Sequence, residues 1–181
     1  MKVKKNILLG ITASIAAYKA CDLIGILRKR GYFVQCVMSC NAKHFITALT
    51  VETLTGQKVS EEMFELPANR IPEHISLADQ ADIIIVAPAT ADIIGKISAG
   101  ICDDTLTCTI CAAGCPVLIA PAMNDRMWEN PIVQENIKKL REKGYYFIDP
   151  VIGRLACGRE GKGHLAPLEK IAKEAEKILK T

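Results

Sequence analysis

Ala81-Asp82-Ile83-Ile84-Ile85-Val86-Ala87 carries four β-branched residues in succession, Ile83 to Val86. A continuous apolar run of this kind suits a strand of a parallel sheet covered on both faces. The same pattern recurs on either side of it. Toward the N-terminus, 5–10 reads as a strand and 14–30 as a helix. Arg28, Lys29 and Arg30 complement the dipole in its last turn, and Gly31 is its stop. A strand follows at 33–38 and a helix at 42–56. The stretch 61–73 contains Pro67 and Pro72 and reads as an irregular connection. Toward the C-terminus, 90–100 and 103–113 read as helices and 116–120 as a strand. Asn130 and Pro131 form an N-cap and a proline at N1, opening a helix with Val133, Ile137 and Leu140 on one face and Gly144 as its stop. The last strand is expected at 145–148 and a glycine-rich loop at 153–163. Pro167 opens a final helix with Leu168, Ile171, Ala175 and Ile178 inward.

Strands alternating with helices predict one α/β domain over 1–181, a doubly wound, mostly parallel sheet with Rossmann-like, flavodoxin-like layering. Ligands of such sheets bind beyond the carboxyl ends of the strands. That rule marks the loops 10–14, 39–41, 88–92 and 121–128.

The bulk properties narrow the classes. The chain has 181 residues, 50% of them hydrophobic and 24% charged, which is globular and not disordered. A net charge of +3, spread along the chain, is too mild to argue for nucleic acid or a membrane surface. No apolar run approaches the roughly 20 residues of a membrane span. The basic start and the apolar stretch 7–17 superficially resemble a secretory signal. Helical periodicity continuing through Lys19, Leu23 and Leu27 argues for a strand and a helix instead. Eight cysteines, several in apolar segments (Cys21, Cys36, Cys108, Cys111), predict small hydrophobes in a reduced, cytoplasmic protein.

Several positions can carry chemistry. Gly10-Ile11-Thr12-Ala13-Ser14-Ile15 joins the first strand to the first helix, where free N–H donors and the positive dipole end attract phosphate. Thr12 and Ser14 offer hydroxyls, and plain capping by Ser14 is the alternative. The G-x-G-x-x-G fingerprint is absent, which argues against NAD. Ser39 and Asn41 are either further donors or ordinary turn residues. Of three histidines, His44 reads as structural, His164 lies in the glycine-rich loop, and His74 stands ahead of the buried strand, as a structural residue or an acid–base group. In Pro121-Ala122-Met123-Asn124-Asp125-Arg126-Met127-Trp128, Asn124 can bind a carboxylate, while Met123, Met127 and Trp128 can equally be packing. Cys108, Cys111 and Cys115 have helical spacing and are expected as buried packing residues on one face, with no metal. Cys157, beside Gly158 and Arg159, can be reactive.

At these residues the sequence resembles the homo-oligomeric flavin-containing cysteine decarboxylases. The matching segments are 10–19, His74-Ile75, 87–92, 121–128 and Ala156-Cys157-Gly158, and the Pro-x-Met-Asn-x-x-Met-Trp element is specific. The resemblance implies FMN as cofactor, held by Ala13, Ser14, Ile15, Ser39, Cys40, Asn41, Thr90, Ala91, Asp92, Ile93 and Ala122. It implies His74 as catalytic base, Asn124 and Met127 as substrate-binding, and Cys157 as the acid completing reduction. Ala13 stands where many members have glycine, and Asp92 where one form of the motif has asparagine. The likeness is strongest to the coenzyme A branch, which converts 4′-phospho-N-pantothenoylcysteine to 4′-phosphopantetheine. It further implies a homotrimer or a higher assembly of trimers, and a CTP-dependent phosphopantothenate–cysteine ligase as a separate partner. Three other readings share the fold. A peptidyl C-terminal cysteine decarboxylase needs no Cys157. A halotolerance-type regulator can lose catalytic residues, and a flavin prenyltransferase lacks the Pro-x-Met-Asn-x-x-Met-Trp loop.

Overall fold

The computed structural model describes residues 4–60, 72–156 and 158–180. Strand β1 (Asn6–Ile11) leads through a capped 3-10 turn (Ile15–Tyr18) into helix α1 (Lys19–Lys29) and strand β2 (Phe33–Met38). A second 3-10 turn (Cys40–His44) and α2 (Ala48–Thr55) follow, then α3 (Glu73–Gln80) and β3 (Ile83–Ala89). Helices α4 (Ala91–Ala99) and α5 (Thr105–Ala112) precede β4 (Val117–Pro121). The short α6 (Asp125–Trp128), α7 (Pro131–Glu142) and β5 (Tyr146–Phe147) come next. A hairpin of β6 (Val151–Arg154) and β7 (Glu160–His164) leads to α8 (Leu168–Ile178).

The central sheet has the order β2-β1-β3-β4-β5 with every pair parallel. This is the flavodoxin-like doubly wound order, whose strand order reverses between β1 and β3. All seven residues of β3 are buried, as its apolar run requires. Each of Ile83, Ile84 and Ile85, fully out of solvent, gains about 1.5–3 kcal/mol over an exposed side chain. One face of the sheet packs against α1, α2 and α8 through Leu23, Leu27, Val51, Ile171 and Ile178. The other packs against α3, α4, α5 and α7 through Leu77, Ile94, Ile110 and Ile137.

Four local expectations change. The helix expected over 14–30 begins as a 3-10 turn, because Ser14 is extended and its hydroxyl accepts from the Ala16 N–H, starting a tight first turn. The helix expected over 42–56 is interrupted. Thr47 is extended and caps α2 through the Thr50 N–H, leaving His44 and Phe45 exposed in the preceding segment. Of the irregular connection 61–73, residues 61–71 lie outside the described residues. Pro72 and Glu73 instead open a helix that holds His74, with proline as a pre-set start. The glycine-rich 153–163 is mostly an antiparallel hairpin pairing Gly153 with Gly161.

The thiols also differ from expectation. Helix α5 ends at Ala112, so Cys115 lies beyond it, and Cys111 is exposed. Cys36 alone among the described cysteines is buried. Among the described residues no helix is long and apolar enough to cross a membrane. None of their His, Cys, Asp and Glu side chains form a group of three or more arranged to hold a metal ion.

Candidate active site

Thr12, at the carboxyl end of β1, is 2% exposed. Its hydroxyl donates to the carbonyl of Pro88 at 2.7 Å and accepts from the N–H of Thr90 at 3.1 Å. Both functions of that hydroxyl are therefore used in tying the β1 loop to the β3 loop across the switch point. The expectation that Thr12 serves as a phosphate donor gives way to this structural role. Ser14 caps the 3-10 turn through the Ala16 N–H at 3.2 Å, and Thr90 caps α4 through the Ile93 N–H at 3.3 Å. Two helix starts, with their N–H groups and positive dipole ends, thus converge on one place.

The third wall is the 121–128 loop. The Ala122 N–H donates to Ala89 O at 2.9 Å, and the Met123 N–H donates to Gly163 O at 3.0 Å. Asn124 caps α6 by accepting from the Arg126 N–H at 3.0 Å. That contact uses the amide oxygen and fixes the side chain's plane. Asp125 takes an ion pair from Arg159 at 3.0 Å, and Lys162 stands over the Trp128 ring with its ammonium 5.4 Å from the centroid. The hairpin is thereby fastened over the Asn124 loop.

Between these walls lies a cavity of about 640 Å³, within the roughly 300–1,000 Å³ usual for small-molecule sites. Of the residues assigned from the sequence, the fold brings Ala13, Ser14, Ile15, Thr90, Ala91, Ala122, Asn124 and Met127 to its wall. It does not bring Ser39, Cys40, Asn41, Asp92, Ile93 or His74 there. Ile93 is buried in the core and Asp92 is paired with Lys96 at 3.6 Å. Ser39 to Asn41 sit at the carboxyl end of β2, where the Ser39 N–H donates to Ile11 O at 3.0 Å. His74 is half-buried on α3, whose main packing partner is α5. Cys157 lies outside the described residues. Its neighbour Ala156 lines the cavity, and Gly158 has a φ of 84°.

The polar and charged cavity residues to which the sequence assigned no site role are Tyr18, Lys19, Arg154 and His164. Lys19 carried a signal, as a charged position between Ala17 and Ala20, both buried. His164 carried none until the hairpin was known.

The residues present fit a flavin mononucleotide. Small and apolar side chains (Ala13, Ile15, Ala91, Ala122) leave flat apolar wall for a ring system, and the Ser14 turn offers a phosphate seat at a helix start. A family model described as Flavoprotein matches residues 1–180. The chain belongs to the Flavoprotein family. It is 47% identical over 173 residues to the coenzyme A biosynthesis bifunctional protein CoaBC of Bacillus subtilis, covering 96% of this chain and 43% of that protein. The chain thus spans less than half the length of that relative. Among solved structures, a serine-for-cysteine mutant of PPC decarboxylase complexed with pantothenoylaminoethenethiol is 30% identical. It superposes with a TM-score of 0.88 over 99% of this chain and 100% of that one. The FMN-dependent cysteine decarboxylase SpaF is 29% identical, with a TM-score of 0.84 over 96% and 97%.

Proposed function

We propose that this chain decarboxylates 4′-phospho-N-pantothenoylcysteine to 4′-phosphopantetheine with FMN, a step of coenzyme A biosynthesis. The observation that carries the reading is the convergence of the Ser14 turn with Asn124 and Met127 on one cavity, in a chain whose relatives include CoaBC. Loss of CO₂ from a cysteine amide leaves a carbanion without an electron sink. FMN, when bound, would supply that sink as a reversible hydride acceptor for oxidation of the thiol-bearing carbon to C=S, which would leave the net reaction redox-neutral.

The chain's own groups bind, orient and move protons. Ser14 and the neighbouring N–H groups would hold the FMN phosphate, and Thr90, Ala91 and Ala122 would form the wall for its ring. Asn124, its plane fixed by the α6 cap, donates to the substrate carboxylate, and Met127 packs against the cysteine side chain. His74 takes the thiol proton. It does not line its own chain's cavity, so a second copy supplies it, as in a homotrimer or an assembly of trimers. Cys157 protonates the enethiolate carbon. A CTP-dependent phosphopantothenate–cysteine ligase is the activity that makes the substrate.

The test is direct. Pure FMN-loaded protein is mixed with phosphopantothenoylcysteine and, separately, with a peptide ending in cysteine. Phosphopantetheine is expected by mass from the first. Action on the peptide alone would replace this reading with peptide maturation, and inertness toward both would favour a regulatory flavoprotein.

A further inference from the structure

A second cavity, of about 520 Å³, adjoins the first. The two share Tyr18, Lys19, Arg154, His164 and Leu165 as their common wall. Within that wall, Lys19 Nζ lies 3.1 Å from His164 Nε2. The other ring nitrogen, Nδ1, lies 3.1 Å from the carbonyl of Leu165. A carbonyl only accepts, so the network assigns the hydrogen to Nδ1 and leaves the Nε2 lone pair facing the ammonium. The arrangement is half of an anion site. A phosphate monoester can enter there once the two side chains part, its anionic oxygen accepting from the Lys19 ammonium and its remaining O–H donating to the Nε2 lone pair. Among the described residues, neither Lys19, Arg154 nor His164 forms an ion pair with a carboxylate. Asp22 lines the outer cavity only.

We propose that Lys19 and His164, with Arg154 beside them, seat the distal phosphate monoester of the substrate at the boundary between the two cavities, and that His164 sets the preference for phosphorylated over unphosphorylated substrate. The proposal rests on the decarboxylase reading above. The phosphate of FMN is the other source of the same chemistry. It is assigned to the Ser14 turn, which lines the first cavity alone, whereas the shared wall also borders the second cavity. A substrate with its cysteine end at Asn124 and its chain running outward brings its phosphate to that wall.

The experiment uses the FMN-loaded enzyme and two substrates, phosphopantothenoylcysteine and pantothenoylcysteine. Wild-type enzyme should prefer the first through KM. In His164→Ala the KM for the phosphorylated substrate should rise about tenfold or more, the size expected for losing one hydrogen bond to a charged group. Its kcat should change little, and the preference between substrates should collapse. His164→Arg, which offers the phosphate a donor in place of the lone pair, should restore the preference, as a merely structural histidine would not allow. If His164→Ala does not fold, Lys19→Gln should show the same collapse. An unchanged ratio between substrates in these variants, or a wild-type enzyme indifferent to the phosphate, overturns this inference and leaves the decarboxylase reading standing. A His164→Ala enzyme that releases FMN more readily while riboflavin binding holds, with the substrate ratio intact, assigns the site to the cofactor and also overturns it. A wild-type enzyme that turns over neither substrate overturns both.

Discussion

The backbone N–H of Met123 donates to the carbonyl of Gly163 at 3.0 Å, joining the Asn124 loop to a hairpin strand forty residues later in the chain. The approach is so close that a Cβ built on Gly163 would overlap the carbonyl oxygen of Met123. Glycine is needed here for proximity and not for a left-handed backbone, since Gly163 is not among the positive-φ glycines. Gly163→Ala should therefore push the hairpin off the loop. Thermal unfolding should show a loss of about 1–3 kcal/mol, as for other overpacked sites, together with a raised KM because Asn124 shifts. A variant with wild-type Tm and KM would mean that the two segments give way without cost.

Thr12 predicts a different loss. Thr12→Val keeps the shape but strands the Thr90 N–H and removes a donor from the Pro88 carbonyl, both supplied by one buried hydroxyl. An unsatisfied buried group costs about 1–3 kcal/mol, which chemical denaturation would read. The FMN affinity should fall as well, because the Ser14 and Thr90 helix starts would no longer be held in register. Thr12→Ser, which retains the hydroxyl, should recover most of both.

The fold was legible because β3 reads as parallel and doubly covered from four residues, Ile83 to Val86. Asn130-Pro131 and the Ser14 cap likewise fixed helix starts by local rules. The candidate site was legible where a motif sits on the carboxyl end of a strand: Ser14, Thr90, Ala122, Asn124. The rest depended on non-local contacts. Lys19 and His164 stand 145 residues apart, and only the β6–β7 pairing brings them together. That pairing was hidden because Gly161 and Gly163 look like loop residues when their reason is close packing. The thiols misled for a related reason. Helical spacing placed Cys108, Cys111 and Cys115 on one face, but α5 stops at Ala112 and one side of it meets solvent.

Cys102 offers a pH-dependent check on that region. The residue is exposed, yet its sulfur faces the carbonyls of Gly100 and Thr107 at 3.7 and 3.9 Å. Desolvation, followed by the neighbouring Cys111 and Cys108 thiols, pushes its pKa up to about 11. The thiolate is the reactive form, so at pH 8 Cys102 should alkylate slowly for so exposed a residue. Its rate should climb about tenfold per pH unit up to pH 10. Site-resolved mass spectrometry after iodoacetamide pulses would measure this. A rate at pH 8 equal to that of a free peptide thiol would show that the three thiols do not restrain one another.

His74 carries the last prediction, because its place on α3 conflicts with a role in its own chain's cavity. If the base comes from a second copy, two defects on different chains should complement. His74→Asn leaves the cavity wall and Asn124 intact but removes the base. Asn124→Asp keeps His74 but sets a carboxylate against the substrate's carboxylate, a like-charge contact that blocks binding. Each homo-oligomer should retain its fold, checked by circular dichroism, and should lose CO₂ release. Co-expressed in equal amounts, the chains should mix. A working site then needs its cavity from a His74→Asn chain and its histidine from an Asn124→Asp chain, which for random mixing is one half times one half, about a quarter of the sites in a closed symmetric ring. Recovery of roughly that share of wild-type activity would place the base across the interface. No recovery in a mixture shown by mass to contain both chains would return His74 to its own chain's chemistry or remove it from the reaction. Activity in His74→Asn alone would decide for removal.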